Sequence, residues 1–167
     1  YLGIEDKRMR VGFGYDIHQL KAGRPCILGG VHIESGLGPD GHSDADVLIH
    51  ALMDAMLGAA GLRDIGYYFP PEDDQYKGIS SMLLLEKVNF LLKERGLQAY
   101  NIDIMVISET PKLKPHIDMM KANLQSILEI PLDRISIKAT TNEMLGAIGR
   151  REGIAAQAVV SVYEGEV

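Results

Sequence analysis

The spacing of apolar residues changes along the chain, and each change marks an element. Residues 10–17 (RVGFGYDI) are short, apolar and aromatic-rich, which predicts a strand. Cys26 to Val31 (CILGGV), between Gly-rich flanks, predicts a hairpin, and the GLGPDGHSD that follows predicts a loop. Val47, Leu48, Ala51, Leu52, Ala55, Met56 and Ala59 then recur at helical spacing up to Gly61. Ser43, with Asp46 three residues on, reads as the cap of that helix. Residues 61–78 (GLRDIGYYFPPEDDQYKG) lose the period and are rich in Gly, Pro and Asp, an irregular stretch long enough to suggest a functional loop. A second helix over 80–95 carries Leu84, Val88, Leu91 and Leu92 on its inner face and stops at Gly96. Residues 102–107 run almost continuously apolar, as in a strand buried on both faces. Beyond the turn TPKLKPHI, the residues Ile117, Met120, Leu124, Ile127 and Leu128 predict a third helix. Ile135, Ile137 and Ala139 alternate as a strand, residues 149–153 form a charged turn, and residues 154–163 predict the last strand.

This order predicts an α+β fold, a two-layer α/β sandwich with one mixed sheet and its helices on one face. Apolar residues remain for the other face, which predicts oligomerisation through the sheet.

Composition narrows the picture. A chain of 167 residues, 46% hydrophobic and 24% charged, fits one globular domain with its own core. Residues 1–8 (YLGIEDKR) precede a Met-Arg and read as a tag remnant or linker, leaving 9–167 as the single domain. Cys26 is the only cysteine, so no internal disulfide forms, and a reducing compartment is expected, the cytoplasm or an organelle stroma. No apolar run is long enough to span a membrane, and no signal-peptide core is visible. The net charge of -6 leaves no electrostatic footprint for nucleic acid. An acidic protein that handles phosphates needs local Lys or Arg, helix N-termini or metal ions.

The candidate chemistry gathers around HSDADVLIH, His42 to His50, where two histidines and two aspartates crowd the start of an apolar helix. Residues eight apart on a helix are separated by about 12 Å along the axis, so His42 and His50 cannot share one ion. His50 lies inside the apolar period and needs partners from elsewhere. Asp16 and His18, one residue apart at the end of the first strand, project to the same side. Together Asp16, His18 and His50 form a two-nitrogen, one-oxygen set, and three protein ligands leave a fourth position open, as in catalytic zinc sites. Asp46, four residues before His50, reads as a partner that orients it, or as a carboxylate suited to the helix N-terminus. Thr140 and Thr141 leave a strand end with hydroxyls suited to phosphate oxygens, Glu143 suits a hard cation, and Lys112 adds a positive charge. No Walker A sequence, dinucleotide-binding fingerprint or Gly-x-Ser-x-Gly elbow is present. These residues imply metal-assisted phosphoryl chemistry. A zinc-dependent phosphohydrolase and a non-catalytic, metal-stabilised module remain open as rivals.

The segments GYDIH, GGV, HSDADVLIHALMDAMLGAAGLRDIG, the FP…YKG loop, PKLKPHI and IKATTNEMLGAIGRREGIA, in that order and spacing, resemble the 2-C-methyl-D-erythritol 2,4-cyclodiphosphate synthases of the non-mevalonate isoprenoid pathway. The resemblance runs from Met9 to about Tyr163. It implies a small-molecule substrate, 4-diphosphocytidyl-2-C-methyl-D-erythritol 2-phosphate, whose 2-phosphate attacks the β-phosphorus, releasing CMP and closing a cyclic diphosphate. It implies Zn2+ on Asp16, His18 and His50, and Mg2+ or Mn2+ on Glu143 with the substrate phosphates. Thr141, Lys112 and His42 would act on the reacting phosphates. Thr140 and Thr141 pair as phosphate-binding hydroxyls, and Asp64 and Gly66 hold the ribose. Pro111, Lys112 and Leu113 wall the cytosine and diphosphate pocket, and His42 and Ser43 contact the methylerythritol phosphate. Phe69, Asp73 and Arg150 complete the substrate contacts. The resemblance further implies a homotrimer with sites between subunits, with Arg150 and Glu152 ringing a central cavity able to take an isoprenoid diphosphate. The chain departs from the pattern twice. Pro71 replaces an aspartate that contacts the methylerythritol, a role left to Asp73 or Glu72, and Ala147 replaces an aromatic lining the cavity.

Overall fold

The computed structural model describes residues 8–165, so the tag or linker expected over 1–8 lies, Arg8 apart, outside the described residues. Seven strands are present: β1 (Met9–Ala22), β2 (Cys26–Leu28), β3 (Val31–Ile33), β4 (Leu37–Asp40), β5 (Leu97–Ile107), β6 (Ile135–Thr140) and β7 (Gly153–Glu164). The helices are α1 (Val47–Ala59), α2 (Ile65–Tyr68), α3 (Ser81–Lys93), α4 (Ile117–Leu128) and α5 (Gly146–Gly149). Five strands form one mixed sheet in the order β4-β1-β7-β5-β6, in which β5 and β6 run parallel and the other pairs antiparallel. The ribbon β2-β3 stands apart as the expected hairpin. The helices cover one face of the sheet, as the apolar periods predict.

That face is built in rows. Gly12 pairs with Val160 and Val160 with Ile102, Gly14 with Ala158 and Ala158 with Ile104, Asp16 with Ala156 and Ala156 with Val106. All of these valines, isoleucines and alanines are buried, and α1 lies over them. Gly12 and Gly14 make the close approach possible. A Cβ on Gly14 would stand 1.9 Å from the Ala51 carbonyl oxygen, and one on Gly12 would stand 1.8 Å from that of Ala55. Glycine on the strand and alanine every four residues on the helix therefore let the two backbones touch. The same alternation that turns Gly12 and Gly14 towards α1 turns Asp16 and His18 there too, under His50.

Several expectations are corrected. β1 extends to Ala22, so Asp16 and His18 lie within a strand and not at its end. Leu37–Asp40, read as loop because of its Gly and Pro, is an edge strand on β1, the position where a sheet tolerates proline. Residues 61–78 contain α2 and a 3-10 turn at Asp74–Tyr76. β5 is buried on one face only, through Ile102, Ile104 and Val106. The cap of α1 is Asp46 and not Ser43, its carboxylate accepting from Ile49 N at 3.1 Å.

Candidate metal centre and substrate cavities

Asp16, His18 and His50 converge. His18 Nε2 lies 2.8 Å from Asp16 Oδ2, His50 Nδ1 lies 3.1 Å from the same oxygen, and the two ring nitrogens are 3.2 Å apart. Donors bound at about 2.0 Å around a tetrahedral ion are about 3.3 Å from one another, so this triangle fits a divalent metal. His18 Nδ1 is 2.9 Å from the Asp40 carbonyl oxygen, which only accepts. That nitrogen therefore carries the proton of the neutral ring, and Nε2, which donates to Asp16 when the ring is protonated, offers the site a lone pair when it is not. Among the described residues this is the one group of His, Cys, Asp or Glu arranged to hold an ion.

The electrostatics agree with a cation site. Burial alone would raise the Asp16 carboxyl, but hydrogen bonds to His18 and His50 hold it down at about 2. Burial lowers His18, yet the bond to Asp16, the Asp16 charge, the Asp40 carbonyl and the Asp46 charge together lift it above the usual histidine value.

Asp46 does not touch the His50 ring, which corrects the orienting role expected for it. Its carboxylate accepts from Gly29 N at 3.0 Å, Gly30 N at 2.8 Å and Ile49 N, binding the β2-β3 turn to the start of α1. Burial pushes this carboxyl up to about 6 against the pull of those backbone N–H groups. The side chains beside His50 Nε2 are instead Ser81 Oγ at 3.0 Å and Ser43 Oγ at 3.1 Å. Nothing in the sequence marks Ser81, which comes 31 residues later.

A cavity of about 250 Å³ opens on the triad, lined also by His42, Ser43, Gly66, Phe69 and Pro71. Asp54 Oδ1 accepts from Ile65 N at 2.8 Å and so fixes α2, with Asp64 as its preceding residue, to α1. His42 Nε2 stands 3.3 Å from the Asp73 carbonyl oxygen, and Gly78 N donates to His42 O at 2.8 Å, which folds the 69–78 loop back over the cavity. Pro71 lines the cavity as a proline. The Asp73 carboxylate caps Asp74–Tyr76, accepting from Gln75 N at 3.0 Å, and is not among the residues lining the cavity.

Pro111, Lys112, Leu113, Thr140 and Thr141 line a different cavity of about 230 Å³. Glu143 and Arg150 line neither. Glu143 is exposed with φ 50, in a turn held by Glu109, whose carboxylate accepts from Asn142 N at 2.9 Å and Met144 N at 3.1 Å. Arg150 pairs with Glu152 at 3.0 Å on the surface. Three strand spacings, about 14 Å, separate the β1 and β6 residues across the sheet. Their faces differ as well. Ala139 shares the helix-side row with Asp16, whereas Thr140 pairs with Ile107 in the row of Ile17, on the open side. The predicted site residues therefore form two half-sites.

A mixed α+β sheet with a Asp-His-His centre at one helix start matches known proteins over nearly its whole length. The model of the YgbB family matches residues 9–163, and the chain belongs to that family. A 2-C-methyl-D-erythritol 2,4-cyclodiphosphate synthase of Synechococcus elongatus is 59% identical over 152 residues, covering 91% of this chain and 95% of its own. One from Cytophaga hutchinsonii is 54% identical, over 91% of this chain and 96% of its own. Among solved structures, the bifunctional IspDF from Campylobacter jejuni superposes with a TM-score of 0.92 at 42% identity, over 96% of this chain and 44% of that one. IspF of Plasmodium falciparum, in complex with CDP, superposes at 0.84 and 32% identity, over 96% and 99%.

Proposed function

We propose that the chain converts 4-diphosphocytidyl-2-C-methyl-D-erythritol 2-phosphate to 2-C-methyl-D-erythritol 2,4-cyclodiphosphate and CMP, a cyclising phosphorus–oxygen lyase of isoprenoid precursor synthesis. The observation that carries this reading is the convergence of Asp16 Oδ2, His18 Nε2 and His50 Nδ1 at the floor of a cavity, in a chain of the YgbB family. A 2-phosphate oxygen forms a bond to the β-phosphorus, and the bond from that phosphorus to the α–β bridging oxygen breaks, so CMP leaves with the α-phosphate. The nucleophile is already an anion, so the chain has to position it and neutralise charge more than remove a proton.

Zn2+ on Asp16, His18 and His50, and Mg2+ or Mn2+ on Glu143, supply neutralisation of the diphosphate oxygens when bound. His42 and Ser43 orient the methylerythritol phosphate, Phe69 closes the cavity above it, and Asp64 and Gly66 hold the ribose. Lys112 and Thr141 bind the diphosphate, Thr140 its neighbour, and Pro111 and Leu113 bracket the cytosine.

The open sheet face supports a homotrimer in which the triad cavity of one chain meets the Thr141 cavity of the next. Arg150 and Glu152 then surround the central axis, where an isoprenoid diphosphate fits. The free, buried thiol of Cys26 supports a cytoplasmic location.

The test is phosphorus NMR of purified protein incubated with the substrate and Mg2+. Cyclic diphosphate with CMP is the expected product; inorganic phosphate with a linear ester overturns the proposal in favour of a phosphohydrolase.

A further inference from the structure

His50 has two serine neighbours at its outer nitrogen, and they are not equivalent. Ser81 is fully buried at the first turn of α3 and donates its hydroxyl proton to Asp44 Oδ1, while its backbone N–H donates to Asp44 Oδ2 at 2.9 Å. Asp44 is itself anchored by its own N–H to Ile79 O at 3.1 Å. With its proton committed, Ser81 Oγ offers only lone pairs to His50 Nε2, 3.0 Å away. Nε2 then donates to Ser81, and in the neutral ring the nitrogen left bare is Nδ1, which faces Asp16 and His18. Ser43 imposes no such polarity. Its oxygen accepts from Ala45 N at 3.3 Å, and its own proton has no fixed acceptor.

We propose that Ser81, oriented by Asp44, is a positioning residue that locks His50 in the tautomer presenting Nδ1 to the metal centre and thereby sets the affinity for a divalent ion. This inference rests on the reading of Asp16, His18 and His50 as metal ligands. It adds that the order of donors runs from His50 through Ser81 to Asp44, both of whose carboxylate oxygens accept from Ser81, Oδ1 accepting also from Asp46 N at 3.2 Å.

That order can be inverted without removing an atom. In Asp44→Asn only one oxygen remains. Two backbone N–H groups compete for it, and that of Ser81, at 2.9 Å, holds its oxygen more closely than that of Asp46 holds Oδ1 at 3.2 Å, so the oxygen stays at Ser81 N and the amide NH2 takes the place beside the Ser81 hydroxyl. Ser81 then points its proton at His50 Nε2, which favours the tautomer with the hydrogen on Nδ1, the wrong nitrogen for a ligand. Partners behind a metal-bound histidine typically change metal affinity by about 10- to 100-fold when removed.

The experiment is zinc affinity by competition with a chelating dye for the wild type, Asp44→Asn, Ser81→Ala and Ser80→Ala, with folding checked by circular dichroism. Ser80 caps the same helix end, accepting from Met82 N at 3.3 Å, and is exposed, so its loss weakens α3 without touching His50. Affinity is expected to fall at least about 10-fold in Asp44→Asn and Ser81→Ala and to stay unchanged in Ser80→Ala. Wild-type binding with Asp44→Asn and Ser81→Ala at wild-type affinity overturns the positioning role alone. An equal loss in Ser80→Ala also overturns it, because the effect then belongs to the helix end. A wild type that binds no zinc removes the metal reading and this inference with it. Should Asp44→Asn not fold, Ser81→Ala decides.

Discussion

His18 takes up a proton more readily than an ordinary histidine, and a cation competes with it. Burial lowers His18, but Asp16, the Asp40 carbonyl and Asp46 together more than compensate, so its value lies above the ordinary 6.5, while Asp16 stays ionised down to about 2. Below the His18 value the ion competes with a proton on Nε2, and above it the site is ready. Zinc affinity is therefore expected to rise with pH up to the His18 value and to fall by about 10-fold per unit beneath it, with no Asp16 contribution above pH about 4. Dye competition between pH about 5.5 and 8 reads this directly, and a flat profile contradicts His18 as a ligand. Glu143 is separable from that centre, being exposed in the turn that follows β6. Glu143→Gln is expected to leave zinc content unchanged by elemental analysis, to reduce turnover at millimolar Mg2+ by about 10-fold or more, and to recover part of it when Mn2+ is raised. Unchanged turnover places the second ion elsewhere.

At the level of elements, the site depends on how closely α1 lies on β1. Gly14→Ala puts a methyl 1.9 Å from the Ala51 carbonyl, a backbone atom that cannot rotate aside, so helix and strand have to separate. Overpacking a core typically costs about 1–3 kcal/mol, and contact with backbone places this change at the upper end or beyond. Urea denaturation should show that loss together with weaker zinc binding, because His50 retreats with the helix. A stable variant with normal zinc affinity contradicts the coupling of helix approach to ligand geometry. The three long helices were legible in the sequence because their apolar stripes are long and regular, and the pairing of Asp16 with His18 followed from strand alternation. The reason His50 meets them was also written there, in Gly12 and Gly14 on the parity of Asp16 and in Ala51, Ala55 and Ala59 on one stripe, though each half means little until the two elements are superposed. β4 was hidden because Leu37–Asp40 contains Gly and Pro, and only its edge position makes it a strand. Of the two readings of Asp46 the helix-terminus one holds, and sequence could not choose between them because i to i+4 proximity on a helix does not tell which of several nearby donors a carboxylate will take. Ser81 and Asp44 are 37 residues apart and carry no pattern at all.

Across the whole molecule, the sheet face away from the helices carries Val11 at 69% exposure and Phe13 at 61%, with Met9, Tyr15, Ile17 and Val159 also exposed. Such a face on a single chain is an unpaired layer of apolar surface. The two half-sites point the same way, since Thr140 belongs to that open face and Asp16 to the covered one. In the proposed trimer, a heterologous contact that closes into a ring would bring one chain's triad beside the next chain's Thr141. This arrangement makes a prediction that no single-chain site shares. His50→Ala removes the triad half and Lys112→Ala the other half, so each variant alone is expected to be inactive. When the two are unfolded and refolded together in equal amounts, an interface whose triad comes from the Lys112→Ala chain and whose Lys112 comes from the His50→Ala chain is intact. Random assembly makes about one interface in four of this kind, so activity should return to about a quarter of wild type. Light scattering should give three chains per particle for the mixture and for each parent. If the trimers form and the mixture stays inactive, both halves of the site belong to one chain, and the sheet face serves assembly without sharing the chemistry.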